Sequence, residues 1–94
     1  MTRVMASGVF DILHTGHVHY LSEAKKLGDE LVVVVATDAT VKRRKHMPII
    51  PEKMRLELVS SLKPVDRAVL GKSGDKYKVV EEIRPAVQRK GPGG

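Results

Sequence analysis

Gly8-Val9-Phe10-Asp11-Ile12-Leu13-His14-Thr15-Gly16-His17 joins two segments of different hydrophobic period, and that change of period decides the fold. Before it, Arg3 to Ser7 is a short apolar run of strand character. After it, Val18, Leu21, Ala24 and Leu27 recur at helical spacing, with Thr15 or Gly16 to cap the start and Gly28 to close the end in a left-handed conformation. Glu30 to Ala36 is a near-continuous Leu/Val run, the pattern of a strand buried on both faces, and it implies a parallel sheet. The first unit is therefore β-loop-helix-β.

Downstream, Pro51 suits the first turn of a second helix carrying Met54, Leu58 and Leu62 on one face, with Pro64 beyond its end. Asp66 to Leu70 reads as a third strand, Gly71-Lys72-Ser73-Gly74 as a turn, and Tyr77, Val80 and Ile83 as a third helix that Pro85 ends. The pattern βαβαβα calls for right-handed crossovers. It predicts a Rossmann-like α/β fold, a parallel sheet in order 3-2-1 with helices on both faces. The sequence shows no internal repeat and no internal domain boundary. Residues 1–85 form the expected domain, and Ala86 to Gly94 read as an unstructured tail, which leaves strand one with an open apolar edge. A homodimer that covers this edge is the expectation.

Charge and composition narrow the ligands. Seventeen Lys and Arg against eleven Asp and Glu give a net charge of +6, which favours polyanions. Phe10, Tyr20 and Tyr77 are the only aromatic residues, too few for the stacking platforms of single-stranded nucleic-acid binding. No nucleic-acid partner is expected. The chain has no cysteine, so disulfides, zinc-thiolate sites and cysteine nucleophiles are excluded. No apolar run approaches the roughly 18 residues of a membrane helix, and no targeting signal is legible. The expectation is a cytoplasmic protein without a membrane partner.

The opening stretch lies at the carboxyl end of the sheet, where open α/β folds bind ligands. A helix amino terminus offers unpaired N–H groups, Gly16 permits close backbone approach, and two imidazoles three residues apart can face one anion. Each feature suits a polyphosphate. His14, His17 and His19 could instead bind a metal incidentally. Asp11 either braces the loop through backbone hydrogen bonds or acts with a metal. The side chain of Phe10 reads as core packing. Lys42-Arg43-Arg44-Lys45-His46 is either a solvated basic loop, a nucleic-acid patch, or a loop of which one or two members reach phosphate, and Arg55 is either a ligand contact or structural. Thr37-Asp38 fits a ribose contact or a simple cap.

Gly8-x-Phe10-Asp11-x-x-His14-x-Gly16-His17 resembles the His-x-Gly-His signature of the cytidylyltransferase-like nucleotidyltransferases. The likeness runs from Arg3 to Pro85, through Gly28-Asp29-Glu30-Leu31-Val32-Val33, Pro48-Ile49-Ile50-Pro51-Glu52-x-x-Arg55 and Leu62-Lys63-Pro64-Val65-Asp66. Within that family, Ala36-Thr37-Asp38-x-Thr40-Val41 and Lys63-Pro64-Val65-Asp66-x-Ala68-x-Leu70-Gly71 are most similar to the archaeal-type FAD synthases.

The resemblance implies transfer of AMP from ATP to FMN with release of pyrophosphate, and magnesium on the nucleotide phosphates. His14, His17, Lys42 and Lys45 are then catalytic. Val9, Phe10, His14, Thr15, Gly16, His17 and Arg55 hold the nucleotide. Family members continue beyond the equivalent of Pro85 with further strands and a terminal helix, so the reading is of a C-terminally truncated member. The alternatives are a glycerol-3-phosphate cytidylyltransferase using CTP, or a nucleotide-binding module without turnover.

Overall fold

A computed structural model of the chain describes residues 2–43, 49–71, 80 and 83–90. Its elements run β1 (Arg3–Gly8), α1 (Thr15–Lys25), β2 (Glu30–Val35), α2 (Asp38–Arg43), α3 (Glu52–Ser60), β3 (Arg67–Leu70) and β4 (Val87–Lys90). The four strands form one parallel sheet in the order β3-β2-β1-β4.

The apolar runs form the sheet's interior because both faces are covered. Val4 and Ala6 of β1 and Leu31, Val33 and Val35 of β2 pack with Phe10, Leu21 and Ala24 of the α1 side and Val59 of α3. Met5 and Val32, one residue out of phase, meet Ile83 and Val80 on the opposite face. Val80 and Ile83 are helical, as the expected third helix requires, whereas Tyr77 and the Lys72–Gly74 part of the preceding turn lie outside the described residues. Among the described residues no helix is long and apolar enough to cross a membrane.

Four details differ from the sequence reading. First, Val87–Lys90 is not tail but β4, in register with Val4 to Ser7. It occupies the edge of β1 on which the expected homodimer rested. The run Val87-Gln88-Arg89-Lys90 has only one large apolar residue, so neither alternation nor an apolar block announces a strand; pairing to β1 supplies its backbone partners.

Second, Lys42 and Arg43, read as the start of a basic loop, end helix α2, while residues 44–46 of that loop lie outside the described residues. Third, the buried stripe of α1 is His17, Leu21 and Ala24, while Val18 and Leu27 are exposed. On α3 the buried stripe is Arg55 and Val59, and Met54 and Leu58 face outward. In both helices the buried stripe includes a polar side chain with specific partners, which a purely apolar stripe cannot register. Fourth, Gly28 does not close α1 in a left-handed conformation; Lys26, right-handed, is the C-cap. A Cβ at position 28 would lie 2.7 Å from the Thr2 carbonyl oxygen, so glycine is needed there for close backbone approach.

The amino-terminal end of the sheet is tied by ion pairs. Arg3 pairs with Glu30, its register partner on β2, and donates to the Ile83 carbonyl. The Asp66 carboxylate accepts from Lys25 Nζ at 2.5 Å and from the Leu31 N–H at 2.6 Å, joining the end of α1 to the start of β2. The Lys25 bond, then the Leu31 amide, hold Asp66 below its ordinary pKa of 3.8. A depressed pKa in the folded state adds stability above the unfolded value, and that stability is lost as pH falls through the folded pKa. Asp66→Asn should therefore lower the stability at neutral pH by about 0.2–1 kcal/mol, the range for a partly exposed pair, and the melting temperature with it. It should also weaken the pH dependence of melting below about pH 4. Parallel melting curves for mutant and wild type across that acid range would show the carboxylate to be inert.

Candidate functional site

The site is assembled at the carboxyl ends of the strands, where β1 lies between β2 and β4. The chain passes from β1 to β2 on one side and reaches β4 on the other, so this is the point at which the winding reverses, the usual ligand crevice of such sheets. Leaving β1, the backbone turns through Phe10 with φ 54°, a left-handed conformation that a bulky side chain rarely adopts. The ring is buried at 1% exposure. Gly8 makes room for it, since a Cβ there would meet Phe10 Cε2 at 2.9 Å. The ring centroid also lies 5.5 Å from that of His17, so Phe10 is both core and a wall of the site.

His14 and His17 form the entrance to α1. His14 is its N-cap, with Nδ1 accepting the Gly16 N–H at 3.0 Å. Reciprocally, His17 Nδ1 accepts the His14 N–H at 3.2 Å. This is a capping box built from two imidazoles, in place of the usual hydroxyl and carboxamide or carboxylate. The ring centroids are 4.1 Å apart. His14 is exposed and His17 is buried. Burial, with the His14 neighbour second, pushes the His17 pKa below its ordinary value of 6.5. Gly16 is required by the ring above it: a Cβ at position 16 would lie 2.7 Å from His14 Cε1. Thr15 and Gly16 are exposed in the first turn.

The remaining polar side chains hold this loop from beneath. Arg55 is fully buried, and four of its donor hydrogens are engaged. Nε donates to the Ile50 carbonyl at 2.8 Å, Nη1 to the Val9 and Ala36 carbonyls at 2.8 and 2.7 Å, and Nη2 to Asp38 Oδ1 at 2.6 Å. One guanidinium thus joins the ends of β1 and β2, the start of α2 and the segment before α3. Asp11 holds that segment from the other side, accepting from the Ile50 N–H at 2.8 Å and the Ile49 N–H at 3.0 Å. Those two amide bonds are the main reason its carboxyl pKa lies below 3.8. Glu52 accepts from the Asp38 N–H at 2.8 Å, and Thr37 Oγ1 accepts from the Thr40 N–H at 3.2 Å.

The structure therefore brings Val9, Phe10, His14, Thr15, Gly16 and His17 together. It places Arg55 under the loop as a brace rather than on its ligand face. Asp11 takes the bracing role and Thr37 the capping role, each one of the two alternatives the sequence left open. Lys42 is exposed on α2, and Lys45 lies outside the described residues. Sequence reasoning missed the Arg55–Asp38 pair. Helical spacing points from Arg55 to Glu52, three residues before it, whereas the observed pair spans 17 residues. Among the described residues no group of three or more His, Cys, Asp or Glu could hold a metal ion. The carboxylates nearest the loop are already bonded to amides and to Arg55.

The parallel sheet with helices, and the His-x-Gly-His helix entrance at its switch point, define a Rossmann-like α/β domain. The model of the cytidylyltransferase-like family matches residues 5–91, and the chain belongs to that family. Similar curated proteins are the FAD synthase of Aciduliprofundum boonei, 67% identical, and that of Thermoplasma acidophilum, 61% identical. Each alignment covers 93% of this chain, and respectively 58% and 61% of the relative. The chain thus spans about three fifths of the length of these relatives. A solved structure from Thermoplasma volcanium GSS1, titled a lipopolysaccharide core biosynthesis protein, superposes with a TM-score of 0.92 at 60% identity, over 94% of this chain and 72% of that one.

Proposed function

We propose that the chain is the nucleotide-binding and reacting part of an FMN adenylyltransferase. The observation that carries this reading is the 67% identity to a protein named FAD synthase over 93% of this chain. In the reaction, a phosphate oxygen of FMN attacks the α-phosphorus of ATP in line. The new P–O bond forms as the bond to the β-phosphate oxygen breaks, and pyrophosphate leaves with that electron pair.

Negative charge shifts onto the phosphate oxygens during this step. Catalysis is therefore chiefly positioning and electrostatic stabilisation, with no covalent enzyme intermediate. Two imidazole N–H donors at a helix amino terminus suit that task. Lys42 and Lys45 would add positive charge, and the Val9–Phe10 backbone and the Thr15–Gly16 turn would border the nucleotide. The amide-bonded carboxylates do not fit a protein-built metal site, so magnesium would arrive on the nucleotide phosphates and offset part of their charge.

The test is pyrophosphate release by this 94-residue chain with magnesium, comparing ATP plus FMN with CTP plus glycerol 3-phosphate. Release with the first pair alone is expected. Release with the second pair alone would replace the reading with a cytidylyltransferase. Nucleotide binding by calorimetry without release from either pair would reduce it to a binding module.

A further inference from the structure

Six large apolar side chains are exposed among the described residues. Val18, Leu27, Met54 and Leu58 lie on α1 or α3 or just past the end of α1, and single apolar residues on helix surfaces are ordinary. Ile12 and Ile49 differ from these. They are the most exposed of the six, at 56% and 71%, and both lie in loops at the ligand end of the sheet. One carboxylate joins those loops: Asp11, next to Ile12 in the chain, accepts the Ile49 N–H through both oxygens at 3.0 Å. That bond, with adjacent Cα atoms about 3.8 Å apart, puts the two isoleucines on the order of 10 Å from each other.

The amides beside them are already in use. Asp11 also takes the Ile50 N–H, and the Ile50 carbonyl accepts from Arg55 Nε. The segment at 49–50 therefore presents apolar side chains without a free amide donor. These bonds fix the backbone and β-branching restricts χ1, so a ligand that covers the two side chains costs them little freedom. A nucleobase needs partners for the donors and acceptors along its edge, and those amides are not open to it. An apolar ring edge needs no such partner.

We infer that Ile12 and Ile49 form the resting surface for the dimethylbenzene end of the acceptor's flavin ring, while the acceptor's phosphate points to the α1 entrance. The identity of the acceptor rests on the FMN adenylyltransferase reading. Ile12 is two residues before His14, at most about 7 Å along the chain, so one extended acceptor can reach both with its ribityl chain between them. The aromatic side chains do not supply this surface. Phe10 is buried, Tyr20 is half-buried with its hydroxyl donating to the Ser7 carbonyl, and Tyr77 lies outside the described residues. Aliphatic contact with the ring is what this end of the sheet offers.

Fluorescence titration of riboflavin and FMN, in magnesium with the unreactive α,β-methylene analogue of ATP, tests the ring contact without turnover. Ile12→Ser and Ile49→Ser should each weaken both flavins about tenfold. Affinity for the ATP analogue and the melting temperature should stay at wild type, because both side chains are exposed in the free chain. Ile49→Leu should keep flavin binding, and Leu58→Ser on α3 should leave it unchanged. The loss should shrink for a riboflavin analogue without its two ring methyl groups. No riboflavin binding by the wild-type chain, wild-type flavin affinity in either serine variant, or an equal loss with the demethylated analogue would overturn the inference. So would weakened binding of the ATP analogue in place of the flavins, which would give the surface to adenine. Pyrophosphate release from ATP and FMN with a wild-type KM for FMN in both serine variants would sink this inference and spare the proposed reaction. The expected flavin losses in a chain that releases no pyrophosphate would do the reverse.

Discussion

His14→Asn is expected to lower the rate of pyrophosphate release by about 10²–10³-fold, the usual cost of removing one donor to developing charge, while leaving the melting temperature at or above that of the wild type. The two effects separate because the cap and the proposed phosphate contact fall on opposite ring atoms of His14. Its Nδ1 caps α1 by accepting the Gly16 N–H. An asparagine carbonyl oxygen can take over that bond, and Asn is among the preferred N-cap residues. What Asn lacks is a donor at the reach of Nε2. His14→Ala loses both, so it should match the rate defect and add about 1 kcal/mol of destabilisation. Steady-state kinetics and thermal melting on the same three proteins decide the matter. Wild-type rates for His14→Asn would show that His14 is only a cap, whereas a rate defect matched by a loss of stability would mean a damaged helix entrance.

Arg55→Met should have the largest effect on stability, destabilising the chain by about 3–5 kcal/mol, the range for removing one partner of a buried ion pair. Met has comparable length and suits a buried setting, so the loss is of hydrogen bonds and charge rather than volume. The Val9, Ala36 and Ile50 carbonyls would lose their guanidinium donor, and Asp38 would lose its ion-pair partner. For a domain of this size each kcal/mol moves the melting temperature by about 4–8 °C, so the shift should be on the order of 20 °C. Asp38→Asn keeps an oxygen for Nη2 and should cost far less. A melting temperature for Arg55→Met within a few degrees of wild type would contradict the bracing role. Nucleotide binding lost with stability unchanged would return Arg55 to the ligand face.

Much of the architecture was legible because it depends on patterns local in sequence. The Glu30–Ala36 run requires two covered faces, and the change of period at Gly8–His17 requires a strand-to-helix turn. Together they dictate a parallel sheet with a ligand-binding end. The His14–His17 pair was legible for the same reason: its spacing alone places both rings on one helix entrance. Its capping box was not read. Ser, Thr, Asp and Asn are the residues expected at an N-cap, and an imidazole in that role is recognised only from the position of its Nδ1.

The sequence by itself determined the strand-helix alternation, the strand order 3-2-1, the covering of both sheet faces and the location of the histidine pair. Only the tertiary structure decided that Val87–Lys90 is a strand, that Arg55 lies beneath the site, and that His17 and Arg55 belong to the buried faces of α1 and α3. For two of these the reason is a partner distant in the chain: Val4 to Ser7 for β4, and Asp38 and the Val9 and Ala36 carbonyls for Arg55. For His17 it is a turn: the backbone reverses through the left-handed Phe10 and brings that ring against the imidazole. Hydrophobic period reports which side of an element avoids water. It carries no information about which buried polar group will find its partner there.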